Sequence, residues 1–236
     1  MHWDDPAAVR TQYATERNLR ARQALWANVE GENAPDVLWR VLASLQPGRV
    51  LEVGGGQGEL AERMQVELGA RVTFVDQSER MVELARARGI EDARVGDVQE
   101  LPFADASFDT AVAAWMLYHV QDVDRGLAEL ARVLEPGGRL VSVTNSVRHI
   151  EELRELFGTI MPGFERQFHS ENGEELLRRH FSQVERTDAE VVAIVDDRTT
   201  LVAYRESLSY ETRPVPEDVP LPFRVHGRTT VFVATK

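Results

Sequence analysis

The stretch that decides the fold is RVLEVGGGQGEL, residues 49–60. A short apolar run ends at Val53, four glycines fall within the next five positions, and a helix-forming run begins at Glu59. Glycine is a poor residue for the interior of a strand or a helix. A tight turn with positive φ needs one or two glycines, whereas four favour a ligand that lies directly against the backbone. We therefore predict a ligand-binding loop between a buried strand and a helix.

Strands and helices alternate downstream of this loop. Apolar runs predict strands at 49–53, 71–76, 93–97, 109–116 and 139–145, and amphipathic runs predict helices at 59–68, 79–88 and 123–134. This order predicts an α/β fold, with a parallel sheet covered by helices on both faces. Upstream, residues 7–45 read as helical, and a second helix begins there at Pro35.

Composition limits the possible functions. The chain has 236 residues, no cysteine and a formal net charge of −12, from 39 acidic and 27 basic residues. The acidic balance disfavours nucleic acid and anionic membranes as partners, and without cysteine there is no thiolate chemistry. No apolar run approaches the roughly 17–25 residues of a membrane span, and the N-terminus lacks a signal-peptide core. We expect a cytoplasmic monomer or homodimer that acts on a small molecule.

Four motifs carry a resemblance to a known family. They are, in order, VLEVGGGQGEL (50–60), VTFVDQSERMVELAR (72–86), ARVGDVQELPFADASFDTAVAAWMLYHV (93–120) and LAELARVLEPGGRL (127–140). Together they resemble the class I S-adenosylmethionine-dependent methyltransferases, in the broad branch that modifies small molecules such as quinones and natural products. The resemblance implies S-adenosylmethionine as the cofactor.

The resemblance also implies a complete architecture. The fold would be Rossmann-like, with a seven-stranded, mostly parallel sheet whose sixth and seventh strands come from residues 181–194 and 229–236. The seventh strand would be antiparallel. We expect an N-terminal helical cap over residues 1–46 and a methyltransferase domain over 47–236, with a substrate-covering insertion around 146–180.

Cofactor contacts follow from the motifs. Asp76 closes the second strand, where a carboxylate can accept both ribose hydroxyls. The resemblance assigns Asp97 and Val98 to the adenine edge, Met81 to the adenine face, and Glu52 to the loop or the methionine amino group. The full predicted set is Tyr13, Glu52, Gly54, Gly56, Gly58, Asp76, Gln77, Met81, Asp97, Val98 and Ala114.

Catalytic candidates follow the fourth and fifth strands. Tyr118 and His119 come after the fourth, beside Trp115, and His149 comes after the fifth, close to Asn145. A histidine is the natural base near neutral pH, although methyl transfer can also be accelerated by alignment and water exclusion alone. His119 also has a purely structural interpretation, as a tie between the strand end and the next helix. We predict no metal site, and O-, N- and C-nucleophiles stay open as acceptors.

Two other functions compete with methyl transfer. The register Gly56-x-Gly58-x-x-Ala61 fits the dinucleotide fingerprint, which would make the protein an NAD(P)-dependent oxidoreductase. That class should also carry a catalytic Tyr-x-x-x-Lys pair or a separate substrate domain, and the sequence has neither. The second alternative is a non-catalytic protein that binds S-adenosylmethionine.

Overall fold

The computed structural model describes residues 16–158, 167–208 and 212–236. The helices and strands are, in chain order, α1 Glu16–Ala24, β1 Val29–Gly31, α2 Ala34–Leu45, β2 Arg49–Val53, α3 Glu59–Leu68, β3 Arg71–Asp76, α4 Glu79–Ala87, β4 Asp92–Val95, β5 Phe108–Ala114, α5 Val123–Val133, β6 Leu134–Asn145, α6 Glu151–Phe157, α7 Gly173–Leu177, β7 Gln183–Val195, α8 Arg198–Glu206 and β8 Phe223–Thr235. A 3-10 turn spans Leu117–His119. Tyr13 lies outside the described residues.

One mixed sheet organises the chain. Its strand order is β1-β7-β8-β6-β5-β2-β3-β4. The five strands β4, β3, β2, β5 and β6 pair in parallel, as the alternating pattern predicts. β8 is antiparallel to both β6 and β7. The predicted Rossmann-like fold class and the antiparallel last strand are therefore confirmed.

The sheet has eight strands rather than the predicted seven. The additional strand, β1, pairs antiparallel with β7 from Val29 to Gly31. The prediction of helix through residues 7–45 is wrong at this point. Three residues are too few to give a strand periodicity, and their conformation is set by hydrogen bonding to the edge of β7. The backbone comes close here, since a Cβ on Gly31 would lie 2.5 Å from the Glu190 carbonyl oxygen.

Local sequence signals define the helices around the sheet. The side chain of Asn33 accepts a hydrogen bond from the Asp36 N–H at the start of α2, which also carries Pro35 in its first turn. Asp122 caps α5 in the same way, by accepting from the Arg125 N–H. α3 ends at Gly69 in a left-handed conformation.

The two faces of the sheet bury separate apolar layers. On one face α5 and α7 contribute Leu127, Leu130 and Leu177, and on the other α2, α3 and α4 contribute Leu42, Met64 and Val82. β2 is buried on both faces because it lies in the middle of the parallel half. Its carboxyl end, where the glycine loop begins, is therefore held rigidly.

A third apolar cluster lies at the antiparallel side. It joins α1, α6 and α8 to the ends of β7 and β8, through Leu25, Phe157, Leu201, Ala193 and Val225. Arg22 of α1 donates to the Ser207 carbonyl oxygen at 2.9 Å, which ties the first helix to the end of α8. Within the described ranges, no helix is both long enough and apolar enough to cross a membrane.

Candidate active site

A cavity of about 910 Å³ opens at the carboxyl ends of the parallel strands. This edge is where open α/β sheets bind ligands. Its walls include eleven of the fourteen predicted site residues: Glu52, Gly54, Gly56, Asp76, Gln77, Met81, Val98, Ala114, Tyr118, His119 and His149. Gly58 and Asp97 do not line it, and Tyr13 lies outside the described residues. Trp115 and Asn145 also lie on its walls.

The glycine loop connects β2 to α3 along the cavity floor. Gly54 donates its N–H to the Val75 carbonyl oxygen at 2.8 Å, which fixes the loop to the end of β3. Gly56 has φ of +58°, and a Cβ placed there would have no protein atom within 4 Å. Because Gly56 lines the cavity, that open space belongs to the ligand site. A Cβ on Gly58 would instead lie 3.0 Å from Ala85, so Gly58 permits α3 to pack against α4.

Asp76 ends β3 beside this loop. Its Oδ1 accepts the Ser78 N–H at 2.8 Å, and the Gly56 N–H donates to the same carboxylate. Burial raises the pKa of Asp76 to about 6 in spite of these two donors. The carboxylate is thus positioned by backbone groups on both sides and still lines the cavity.

Glu52 is the more deeply buried of the two acids. It is 1% exposed, and its Oε2 is buried without a hydrogen-bond partner. Burial, and then the nearby charge of Asp76, raise its pKa to about 8, although the Ala61 N–H donates to it. A buried carboxylate with an unsatisfied oxygen is costly unless a ligand completes its hydrogen bonds. Glu52 therefore marks a position where a donor group of a ligand fits.

The segment after β4 contributes a smaller part of the cavity wall than the glycine loop does. Gly96 and Val98 line the cavity, and Met81 reaches it from α4. Asp97 lies between the first two, and its side chain accepts the Gln99 N–H at 2.9 Å and a second bond from the Gln99 side chain. In this conformation Asp97 stabilises the turn after β4.

The segment after β5 brings aromatic side chains to the cavity. Trp115 has φ of +54°, a left-handed conformation that is strained for a tryptophan. The Tyr118 and His119 rings follow in the 3-10 turn, with centroids 4.5 Å apart. All three line the cavity.

His149 lies on the opposite wall, after β6. Its Nδ1 is 3.2 Å from the Arg228 carbonyl oxygen, and its ring centroid is 5.7 Å from that of Trp26. The ring is densely surrounded by protein, and this burial lowers its pKa to about 4. The positive charges of Arg154 and Arg228 act in the same direction. His149 is therefore neutral at pH 7, while one ring nitrogen is directed to the backbone of β8.

Sequence reasoning missed most of the wall on the antiparallel side. The missed residues come from α1, α6, α8 and the connections beside them, which we call the cap elements, and they include Arg22, Trp26, Ile150, Arg154, Tyr204 and Leu208. These positions lie in amphipathic helices or short connections, where the pattern gives no indication of a site. From the predicted insertion, only positions 146, 149, 150 and 154 line the cavity among the described residues, and the Pro-rich stretch 213–222 contributes none.

Comparison with known proteins finds a family model that resembles part of the chain. Residues 51–142, which are less than half of the 236 residues, match the family model described as a methyltransferase domain. This segment is therefore similar to a methyltransferase domain. It runs from β2 into β6, so it contains the glycine loop, Glu52, Asp76 and the aromatic turn after β5.

Individual relatives show the same similarity over part of the chain. The chain is 33% identical to an O-methyltransferase of Aspergillus nomiae over 59% of its own length and 58% of the relative. It is 39% identical to a demethylmenaquinone methyltransferase of Clavibacter sepedonicus over 45% of its length and 46% of the relative. The chain thus spans about half the length of these curated relatives.

A solved structure supports the fold. The structure of an S-adenosylmethionine-dependent methyltransferase from Thermotoga maritima, described as a possible histamine N-methyltransferase, aligns with a TM-score of 0.55. The identity is 27%, and the alignment covers 84% of this chain and 87% of that one. The oxidoreductase alternative has no support among these similarities.

Proposed function

We propose that this protein transfers the methyl group of S-adenosylmethionine to a small-molecule acceptor. The observation that carries the proposal is the unsatisfied Glu52 Oε2, buried on the cavity wall next to Asp76 and the open space at Gly56. Glu52 suits a cationic donor such as the amino group of S-adenosylmethionine, and Asp76 suits the two hydroxyl donors of its ribose. The open space at Gly56 suits the chain between these two groups, which would lie against the backbone.

The residues present fit the cofactor in the following way. Glu52 would accept hydrogen bonds from the amino group, whose positive charge offsets the burial of the carboxylate. Asp76 would accept the ribose hydroxyls, in the position that a strand-terminal acid holds for a nucleoside ribose. Met81 and Val98 would pack against the adenine, and Gly54 and Gly56 would leave room for the chain between ribose and amino group.

When bound, the cofactor supplies an activated sulfonium methyl group. Held by Glu52, Asp76 and the glycine loop, it would offer a methyl carbon that the electron pair of an acceptor can attack, and the electron pair of the carbon–sulfur bond would stay on sulfur. The task of the protein would be to hold the acceptor in line with that bond and to exclude water. Trp115 and Tyr118, which line the cavity after β5, would do this. His119 and His149 are the groups able to receive a proton from an O- or N-acceptor.

The acceptor itself is a small molecule in this proposal, and the protein works in the cytoplasm as a monomer or homodimer. Beyond the residues assigned to the cofactor, the cavity of about 910 Å³ is also lined by the aromatic turn and by residues of α1, α6 and α8. The net charge of −12 opposes a polyanionic acceptor such as nucleic acid.

A calorimetric titration tests the cofactor. We expect saturable binding of S-adenosylmethionine and S-adenosylhomocysteine and no binding of NADH. A methylation screen against a metabolite library, with product detection by mass, then tests turnover. Binding of the cofactor with no turnover on any acceptor would favour the non-catalytic alternative, and binding of NADH alone would overturn the proposal.

A further inference from the structure

Two ionisable side chains on the cavity wall each have one buried atom without a hydrogen-bond partner. Among the described residues, five buried side-chain atoms lack such a partner, and two of these are Glu52 Oε2 and Arg154 Nε. Both residues line the same cavity. A buried polar atom without a partner is unfavourable, so a ligand group that completes its hydrogen bonds explains each of them. In the proposed function the cofactor would supply the partner for Glu52, and Arg154 needs a different one.

Arg154 is held in place but not neutralised. It belongs to α6, and its Nη2 donates to the Val147 carbonyl oxygen at 2.6 Å. In the described part of the chain, no carboxylate forms an ion pair with it. Two other arginines illustrate the contrast: Arg63, also on the cavity wall, pairs with Glu67 at 2.9 Å, and Arg148 pairs with Glu151 at 3.1 Å. Arg154 therefore presents an uncompensated positive charge to the cavity.

The acidic side chains on the cavity wall and two of its three arginines come from different parts of the chain. The acidic side chains on its walls, at positions 52, 59 and 76, all belong to the segment around the glycine loop. Arg22 and Arg154 come from the cap helices α1 and α6. His149 adds no charge near Arg154, since burial and the neighbouring arginines hold its pKa at about 4. Arg154 thus brings a positive charge to the cavity wall although the whole chain carries a charge of −12.

We propose that the Arg154 guanidinium binds a carboxylate of the methyl acceptor, and that the acceptor is an aromatic acid. The inference rests on the proposed methyl transfer and specifies its substrate class. A guanidinium presents a planar set of N–H donors that matches a carboxylate, and the single hydrogen bond to Val147 leaves most of them available. Trp26, Trp115 and Tyr204 line the same cavity and contribute aromatic surface, which suits a flat ring. The carboxylate is the anchor, and the methyl group goes to another atom of the acceptor.

Matched pairs of acids and amides test this assignment without an identified substrate. The probes are benzoate, naphthoate and anthroate with their carboxamides, titrated by calorimetry into the protein saturated with S-adenosylhomocysteine. We expect at least one acid to bind about tenfold or more tightly than its amide, as a charge-assisted hydrogen bond provides. Arg154→Gln should abolish this preference, and Arg154→Lys should retain part of it. Arg148→Gln is the control, because it removes an exposed arginine that lies just before α6 and does not line the cavity.

The outcomes separate this inference from the proposed function. The inference that Arg154 binds a carboxylate is overturned if no acid binds more tightly than its amide, or if the preference for the acid survives in Arg154→Gln. It is also overturned if Arg154→Gln weakens S-adenosylhomocysteine binding tenfold, because the guanidinium would then serve the carboxylate of the cofactor. Should wild-type protein bind neither cofactor nor product, the proposed function fails. The acid and amide titrations without cofactor then still decide what Arg154 binds.

Discussion

Glu52 and Asp76 end two neighbouring parallel strands, and the charge of Asp76 raises the pKa of Glu52 beyond the effect of burial alone. The pKa of Glu52 is about 8 and that of Asp76 about 6, against ordinary values of 4.5 and 3.8. The protein without cofactor therefore holds Glu52 mainly protonated at pH 7. A cationic group of a ligand beside Glu52 would favour the ionised form of this acid.

The raised pKa of Glu52 makes the stability of the protein without ligand depend on pH. Between the unfolded value of 4.5 and the folded value of about 8, the folded state binds more protons, so the free energy of unfolding falls as pH rises. As the pH rises from 5 to 8, we expect the free energy of unfolding of Glu52→Gln to increase by about 2–4 kcal/mol relative to that of wild type. Urea unfolding at both pH values measures this. The control Glu83→Gln removes an exposed carboxylate, and an equal pH effect there would contradict the argument.

Cofactor binding should release a proton. The amino group of the ligand favours the ionised form of Glu52, which is mostly protonated beforehand at pH 7. Calorimetry in buffers with different ionisation enthalpies should give release of about one proton per S-adenosylmethionine. Glu52→Gln should reduce this number to near zero. Proton release that persists unchanged in the variant would assign it to another group.

Loss of Asp76 should weaken the cofactor directly. Asp76→Ala is expected to cost about 2–4 kcal/mol of S-adenosylmethionine binding, because charge-assisted hydrogen bonds to the ribose are lost. Asp92→Ala serves as control, since Asp92 lies on the adjacent strand, bonds to Thr73 at 2.8 Å and does not line the cavity. Wild-type affinity in folded Asp76→Ala would show that the ribose lies elsewhere.

Gly56 and Gly69 form a natural pair for testing the loop. Both have positive φ, +58° and +67°, and a Cβ at either would have no protein atom within 4 Å. The two Gly→Val substitutions should therefore strain the backbone similarly, and by about 1–2 kcal/mol or more. Only Gly56→Val should also lose cofactor affinity, because only Gly56 lines the cavity. Equal cofactor affinity in both variants would place the ligand away from the loop.

The histidines should matter less for turnover than the aromatic turn. We expect His119→Ala and His149→Ala to stay within about tenfold of wild type, whereas Trp115→Ala loses about 10–100-fold through looser alignment. Since the pKa of His149 is about 4, its protonation would reduce the rate only near that pH and not near 6.5. A loss of 10²–10⁴-fold in either histidine variant, with cofactor affinity unchanged, would instead identify a general base.

The sequence predicts the strands well where local signals, namely apolar runs and turn residues, determine where a strand begins and ends. Strands β2, β3 and β5 are apolar runs bounded by turn residues, and they were predicted to within about two residues at either end. β1 was missed because three residues carry no period, and their pairing depends on β7, some 160 residues later in the chain. The sequence predicts that Gly58 contacts the cofactor, whereas in the structure it lies against Ala85. The spacing of the glycines alone does not distinguish these two kinds of contact.

Arg154 shows why part of the candidate site cannot be predicted from the sequence. In EELRELF it is one of several charged residues on a short amphipathic helix, and such residues usually face solvent. Its position on the cavity wall follows from how α6 packs against Phe157, Leu201 and the ends of β7 and β8. That arrangement depends on contacts between distant parts of the chain, which periodicity does not contain.

The sheet changes from parallel to antiparallel pairing at β6, and this boundary has a consequence for how such an enzyme diversifies. The parallel strands hold the residues assigned to the cofactor, whereas the cap elements tied to β7 and β8 hold Arg22, Arg154 and Tyr204. The hydrogen bond from Arg22 to the Ser207 carbonyl oxygen connects α1 to the end of α8 on the cap side. Recombination that exchanged both chain ends as one block could therefore change the acceptor while the cofactor machinery was inherited intact.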